Sequence, residues 1–294
     1  MYKQRKALFL KVITPLHAGS GTDLRVIDLP IQREVHTDFP KIEASTLKGC
    51  MRKSFNKNGL EAKLVNTIFG NEGESELSAA AIAITDARLL FFPVRSAKGV
   101  YALITCPMVL ERFQKEMALL GISLEMNIVS NDASALASKD SVLKFNIEEN
   151  KNTILLDEYR YDASVNSSFE EFCIRLSDLI GVTDSIAERA VLLPDDDFKD
   201  FVRHATSIVT RIKVGTNGVV ENQALFTEEY LPEESILYSL IMMDDSKLKL
   251  NSLKSNELME TFSKYLSKFF QIGADETLGK GFVESCLKGG DKNE

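Results

Sequence analysis

HAGSGTDLRVIDLPIQREVHTDFPKIEASTLKGCMR, residues 17–52, packs two glycines, a flanked aspartate, a charged run and the start of a basic helix into one segment. A strand-like run, Ala7 to Ile13, leads into His17, and its alternation around Lys11 is too irregular to assign a buried face. Gly19 and Gly21, with Ser20 between them, let the backbone take φ > 0 or approach a ligand closely. Val26, Ile27, Leu29 and Ile31 surround Asp28, so this carboxylate either caps a turn before Pro30 or is held for chemistry. The loop from His17 to Glu43 is long for a compact domain, and such loops are usually functional.

The same stretch ends in a predicted helix. Ser45 is placed to cap it, Leu47, Met51 and Phe55 share one face, and Lys48 and Arg52 share another. Free N–H groups, the positive end of the helix dipole and two cations would suit a phosphate there. An ordinary amphipathic helix with solvated basic residues has the same pattern. Gly49 inside a helix costs about 1 kcal/mol relative to Ala, which points to close approach of another backbone.

Working outward, Leu60 to Phe69 reads as a short helix ending at Gly70. Ala79 to Pro93, on both sides of Asp86, and Val100 to Thr105 read as strands that join the first in a central sheet. Pro107 opens a helix through Leu110, Phe113, Met117 and Leu120 that stops at Gly121. From Ile122 to Asn166 the pattern dissolves, as in an insertion or lid. A helix is predicted over Phe169 to Ile180, and Asp195 to Asp197 open another; they resemble a metal cluster but are explained more simply by the helix dipole. Thr206 to Val214 and Val219 to Leu231 flank an Asn-Gly turn, which predicts a long protruding hairpin with Arg211 and Lys213 on one face, as for phosphate contact. Ile236 to Met243 follows as a strand, and Leu258, Phe262, Leu266 and Phe269 mark the last helix. Gly273 to Gly281 fails as a nucleotide-binding loop, because its glycine spacing is wrong and Gly281 stands where a Ser or Thr is required. A turn through Gly279, Lys280 and Gly281 fits a polynucleotide backbone better.

The 294 residues are 44% hydrophobic, ample for a packed core, with no apolar run long enough for a membrane span and no signal-peptide pattern. The four cysteines are scattered singly, the pattern of reduced thiols in a cytoplasmic protein. The net charge of −8 is unevenly spread: residues 1–63 hold 12 Lys+Arg against 6 Asp+Glu, leaving 23 against 37 in the rest. That asymmetry reads as a local basic footprint for nucleic acid, or as chance clustering. Three histidines at unrelated spacings give acyl-transfer hydrolysis no support. His17 is either a general base or a loop residue bonded to backbone.

The runs G-S-G-T, V-I-D-L-P-I-Q-R-E and F-P-K-I-E-A-S-T-L-K-G-C-M-R, with A-L-F-T-E-E-Y-L-P at 224–232 and G-A-D-E-T-L-G-K-G at 273–281, resemble the repeat-associated mysterious protein (RAMP) superfamily. More narrowly, they resemble its backbone-subunit family (the fourth Cmr protein) in type III-B CRISPR effector complexes. Residues 122–166 carry none of the resemblance. It implies an α+β fold over residues 1–294, with a ferredoxin-like, RNA-recognition-motif-type palm. A helical insertion over about 122–200 and a hairpin thumb over about 206–231 complete it. It further implies stacked copies along a guide RNA beside other Cmr subunits, no membrane partner, and cutting of complementary target RNA at regular intervals.

In that family the cleaving aspartate matches Asp28, while Glu228 and Glu229 match a position implicated in activity or are structural acids under the hairpin. From the residues alone, Asp28 can orient or deprotonate a ribose 2′-OH or hold Mg²⁺; the divalent metal itself is implied only by the resemblance. Asp23 is its nearby competitor. The guide is expected on Gly19, Ser20, Gly21, Ser45, Lys48, Gly49, Arg52, Arg211, Lys213, Gly279, Lys280 and Gly281. The rival readings are a guide-binding scaffold that does not cut and a stand-alone guide-processing nuclease.

Overall fold

The computed structural model describes residues 2–22, 26–71, 79–124, 126, 135–148, 151–181, 186–214, 220–246 and 253–289. The chain begins β1 (Gln4–Val12), β2 (Lys41–Ile42), α1 (Ala44–Lys57), α2 (Ala62–Phe69), β3 (Ile82–Ile84), β4 (Ala87–Arg95), β5 (Tyr101–Thr105) and α3 (Pro107–Ala118). It continues β6 (Ala135–Ala137), β7 (Phe145–Glu148), β8 (Lys151–Leu156), β9 (Tyr159–Val165), α4 (Ser167–Ile180), α5 (Ile186–Arg189), β10 (Ala190–Leu192) and α6 (Asp195–His204). It closes with β11 (Ser207–Val214), β12 (Val220–Tyr230), β13 (Ile236–Met243), α7 (Ser255–Tyr265), β14 (Phe269–Gln271), a 3₁₀ turn (Glu276–Leu278) and β15 (Phe282–Lys288).

The irregular alternation of β1 has a simple cause: the strand is buried on both faces. It lies between β13 and β15, antiparallel to each, with Ala7, Leu8, Phe9 and Leu10 all buried. Phe9 meets Phe113 of α3 on one face, at 6.2 Å between ring centroids, and Phe113 in turn meets Phe172 of α4. Lys6, on the other face, reaches Ser263 of α7. Around α7 the rings of Phe55, Phe69 and Phe262 lock α1 and α2 into the same core.

The result is an α+β protein in which one mixed sheet of thirteen strands runs β14-β15-β1-β13-β4-β5-β10-β6-β9-β8-β7, with β2 and β3 beside β4 and β13. Within this sheet, among the described residues, β10 pairs parallel with β5 and β6 with β9. β11 and β12 form a separate two-stranded hairpin, as the Asn-Gly signal predicts, and the turn itself, 215–219, lies outside the described residues.

Three expectations are corrected. The insertion is not purely helical, because β6 to β10 extend the sheet through it beside α4, α5 and α6. The last helix ends at Tyr265, so Leu266 and Phe269 lie beyond it, and Phe269 is an exposed strand residue. Ser45 does not cap α1: Glu43 occupies the cap position with no side-chain bond. Among the described residues no helix is long and apolar enough to cross a membrane.

Candidate active site and nucleic-acid interface

Three short segments weave together to position Asp28. Leu16 pairs with Leu231 at the end of β12, and Gly19 bridges to Ile31. Ser20 N–H donates to the Pro30 carbonyl at 3.0 Å and Gln32 N–H to that of Ala18 at 2.8 Å, closing the base of the loop that carries Asp28. The far side of the loop then docks on the hairpin. Leu29 N–H donates to the Thr227 carbonyl and Glu229 N–H to that of Leu29, each at 3.0 Å.

Asp28 sits at the exposed lip of this weave. Its Oδ2 accepts the backbone N–H of Thr227 at 2.7 Å and the Thr227 hydroxyl at 2.8 Å, while its own N–H donates to that hydroxyl at 3.0 Å. The Thr227 N–H and then its hydroxyl hold the Asp28 carboxyl below the ordinary carboxylate range. Oδ1 has no partner among the described residues. Asp23 lies outside them.

Beneath the lip the other predicted acids are buried. Glu229 is 2% exposed. It accepts from Arg33 at 2.5 Å, Thr206 at 2.8 Å and the Ile31 N–H at 3.0 Å. Arg33 also donates to the carbonyls of Asp38 and Val202, so this pair ties the Asp28 loop to α6 and the hairpin. Glu228 pairs with Arg211 Nε at 2.9 Å and accepts the Tyr230 hydroxyl at 2.8 Å. His17 is buried too; its Nδ1 donates to the Glu229 carbonyl at 2.7 Å, leaving Nε2 3.6 Å from Glu228. His17, Glu228 and Glu229 are thus buried, each bonded to neighbouring segments of the weave that carries Asp28.

The glycine-rich turn is stitched to the same scaffold. Ala274 N–H donates to the His17 carbonyl and Gly281 N–H to that of Pro15, each at 2.9 Å. A Cβ on Gly273 would lie 2.1 Å from the His17 carbonyl oxygen, and one on Gly281 2.0 Å from that of Ile272. Gly281 thus serves close backbone packing, whereas Gly21 and Gly279 have open space around them. Asp275, in the left-handed region at φ 61°, joins Arg211 at 2.9 Å and the Tyr230 hydroxyl at 2.8 Å. Burial, with Asp275 and Glu228 as acceptors, pushes the Tyr230 phenol far above its ordinary range. Lys280 rests over the Tyr230 ring, 5.3 Å from its centroid.

Several expected phosphate contacts are spoken for. Arg211 faces inward to Glu228 and Asp275, and the side chain of Lys213 lies outside the described residues. The N-terminus of α1 is already filled by a carboxylate: Asp86 Oδ1 accepts the Ala44 N–H at 2.9 Å, with Lys41 compensating its charge at 2.9 Å. Arg52 donates to the Gly70 carbonyl and to Asn66, fastening α2. Lys3, Lys11, Lys53 and Lys57 pair with Asp245, Glu234 and Glu276. Much of the N-terminal excess of cations therefore answers acids elsewhere in the chain. Lys48 is half-buried with no ion pair among the described residues, and Ser45, Gly49, Ser20 and Gly21 are exposed.

No group of three or more His, Cys, Asp or Glu among the described residues is arranged to hold a metal ion. One free carboxylate oxygen, Oδ1 of Asp28, falls short of a resident metal site.

The RAMP superfamily profile matches residues 9–284. The CRISPR system Cmr endoribonuclease Cmr4 of Pyrococcus furiosus is 38% identical over 287 residues, which span 95% of this chain and 94% of that protein. The crystal structure of oligomeric Cmr4 from the same organism superposes with a TM-score of 0.77 at 30% identity, covering 98% of this chain and 99% of that one. A chain of the cryo-EM structure of type III-B Cmr-beta bound to cognate target RNA shares the fold, with a TM-score of 0.76 at 21% identity over 97% and 98% of the two chains.

Proposed function

The chain belongs to the RAMP superfamily, and from that premise we propose that it is a guide-RNA-binding backbone subunit of a type III-B CRISPR complex that cuts complementary target RNA at regular intervals. Copies stack along the guide beside other Cmr subunits in the cytoplasm, and base pairing supplies the sequence recognition. The β11–β12 hairpin acts as the thumb that separates one nucleotide per subunit, and so sets the interval. Among the described residues expected to hold the guide, Lys48, Lys280 and the open turns at Gly21 and Gly279 are available to its phosphates.

The observation that carries the cutting activity is the posture of Asp28: one oxygen pinned by two donors of Thr227, the other free at the exposed lip. A general base works best with a pKa near the operating pH, and the carboxyl of Asp28 is held in the opposite direction. Asp28 therefore acts as a fixed anion that accepts a hydrogen bond from the ribose 2′-OH and aligns its oxygen on the neighbouring phosphorus. The new bond is 2′-O–P and the bond broken is P–O5′; the 2′-OH loses its proton to solvent and the leaving 5′-oxygen gains one. Among the described residues no ligand cluster holds a divalent metal; such an ion would be shared by Asp28 and the RNA phosphates, where it would stabilise developing charge, and no step above depends on it.

The test is Asp28→Asn in a reconstituted complex challenged with labelled complementary RNA. Cutting should fall by about 10² to 10⁴ while a gel-shift assay shows target bound as tightly as by the unsubstituted complex. Cutting at an unchanged rate would remove Asp28 from the chemistry. An unsubstituted complex that binds target without cutting it would leave the scaffold reading.

A further inference from the structure

Away from the Asp28 lip, the turn between β8 and β9 and one face of α6 enclose a cleft lined by rings, carboxylates and His204, whose Nδ1 is engaged by the Asp200 carbonyl at 2.9 Å. We propose that this cleft is a receptor for a single arginine side chain presented by a neighbouring protein subunit.

Its walls are three aromatic rings set at angles to one another. Tyr159 stands 5.6 Å from Phe201 between centroids, at 83° between planes, and Tyr161 stands 6.4 Å away at 46°. Phe201 is buried by these contacts, while Tyr159, on β9, is 62% exposed and offers ring surface to the cleft. Asp197 and Asp200 project from α6 at i and i+3, beside Phe201, into the same space. Neither has an ion-pair partner among the described residues. Burial, Asp200 and Asp196 push the Asp197 carboxyl above its ordinary range, as expected where negative charge lacks a counterion. On the rim, Asp157 already holds a guanidinium, that of Arg95, at 3.0 Å.

The chemistry of the occupant follows by elimination. Phosphate is disfavoured by the two carboxylates without an ion-pair partner among the described residues, Asp197 and Asp200. A metal ion finds no ligating group of the required number there. An organic cation satisfies both halves of the lining, its charge facing Asp197 and Asp200 and its flat face a ring. Guanidinium suits this better than ammonium, since it is planar, weakly hydrated and forked toward carboxylates. That the arginine belongs to a neighbouring subunit rests on the assembly proposed above; the cation-binding property does not.

The two parts are tested separately. The isolated chain, with its seven tyrosines carbon-13 labelled, is titrated with Nα-acetylarginine N-methylamide and with its neutral citrulline counterpart. Ring signals of Tyr159 and Tyr161 should shift and saturate with the arginine compound and respond about tenfold more weakly to the citrulline one. The double variant Asp197→Asn/Asp200→Asn, nearly isosteric and checked by circular dichroism, should lose at least about tenfold in affinity. Equal response to citrulline, indifference to the double variant, or no saturable shift would each overturn the cation site. In the assembled complex, nitration of Tyr159 by tetranitromethane should be slowed relative to the isolated chain. An unprotected Tyr159 in an intact assembly would overturn the subunit as its occupant.

Discussion

Asp28 and Glu229 lie on neighbouring segments joined by backbone hydrogen bonds, yet their surroundings are opposite. Glu229 is buried, with an arginine, a hydroxyl and a backbone N–H using both its oxygens. Asp28, across the same ladder, has one oxygen pinned and one open to solvent. Both are acids in apolar stretches of sequence. Only the three-dimensional pairing separates a carboxylate that holds the loop from one the loop presents. A rigid base under an exposed anion is the arrangement that positioning requires, because a lip with mobile support would lose the alignment it supplies.

The sharpest way to break this contrast is to remove the buried member. Glu229→Ala leaves Arg33 in the interior without its counter-charge, a change that typically costs about 3–5 kcal/mol. Denaturant unfolding should register that loss, and Asp28→Asn should lower the unfolding midpoint far less, because it gives up only the charge of a solvent-exposed tether. If both variants unfold alike, the division between base and lip is wrong.

A smaller effect distinguishes the cations of α1. Lys48→Ala should flatten the slope of log affinity for single-stranded RNA against log salt by about 0.7, the share of one phosphate contact. Arg52→Ala should leave the slope alone and lower stability instead, because Arg52 is spent on Gly70 and Asn66. The same slope change for both would return Arg52 to the interface.

What could be read in advance follows the range of the interaction. The buried face of α1 and the Pro107 start of α3 are local patterns, and the structure has them where the spacing puts them. The Asn-Gly signal likewise marks a hairpin whose strands are present. β9 carries its signature in the sequence: Tyr159, Tyr161, Ala163 and Val165 alternate with Arg160, Asp162 and Ser164, the period of a strand. The partners of Asp28 were not legible, since Thr227 lies 199 residues away. The charge asymmetry of the first 63 residues was visible in composition, but its meaning depended on where Asp245, Glu234, Asp86 and Glu276 fold. A cation count cannot tell an interface from an internal pair.

The finest test concerns the tether itself. Thr227→Val deletes the hydroxyl and keeps the backbone N–H, the larger of the two influences that hold the Asp28 carboxyl low. The carboxyl should therefore move up toward its ordinary value without reaching it, which carbon-13 titration of the aspartates reads directly. The sign for stability follows: because the folded-state value is lowered, the tether's contribution is present above the unfolded carboxylate range and is lost as pH falls through the folded value. Thr227→Val should therefore lower stability at neutral pH by the hydroxyl's share and leave it unchanged once pH has fallen below the folded value. For cutting, the loosened carboxylate stays anionic at neutral pH but wanders, so the rate should fall by less than with Asp28→Asn, on the order of tenfold. A loss equal to that of Asp28→Asn would mean that Thr227 itself touches the RNA. No loss would mean that the backbone N–H alone fixes the anion, and the comparison with Glu229 would narrow to burial.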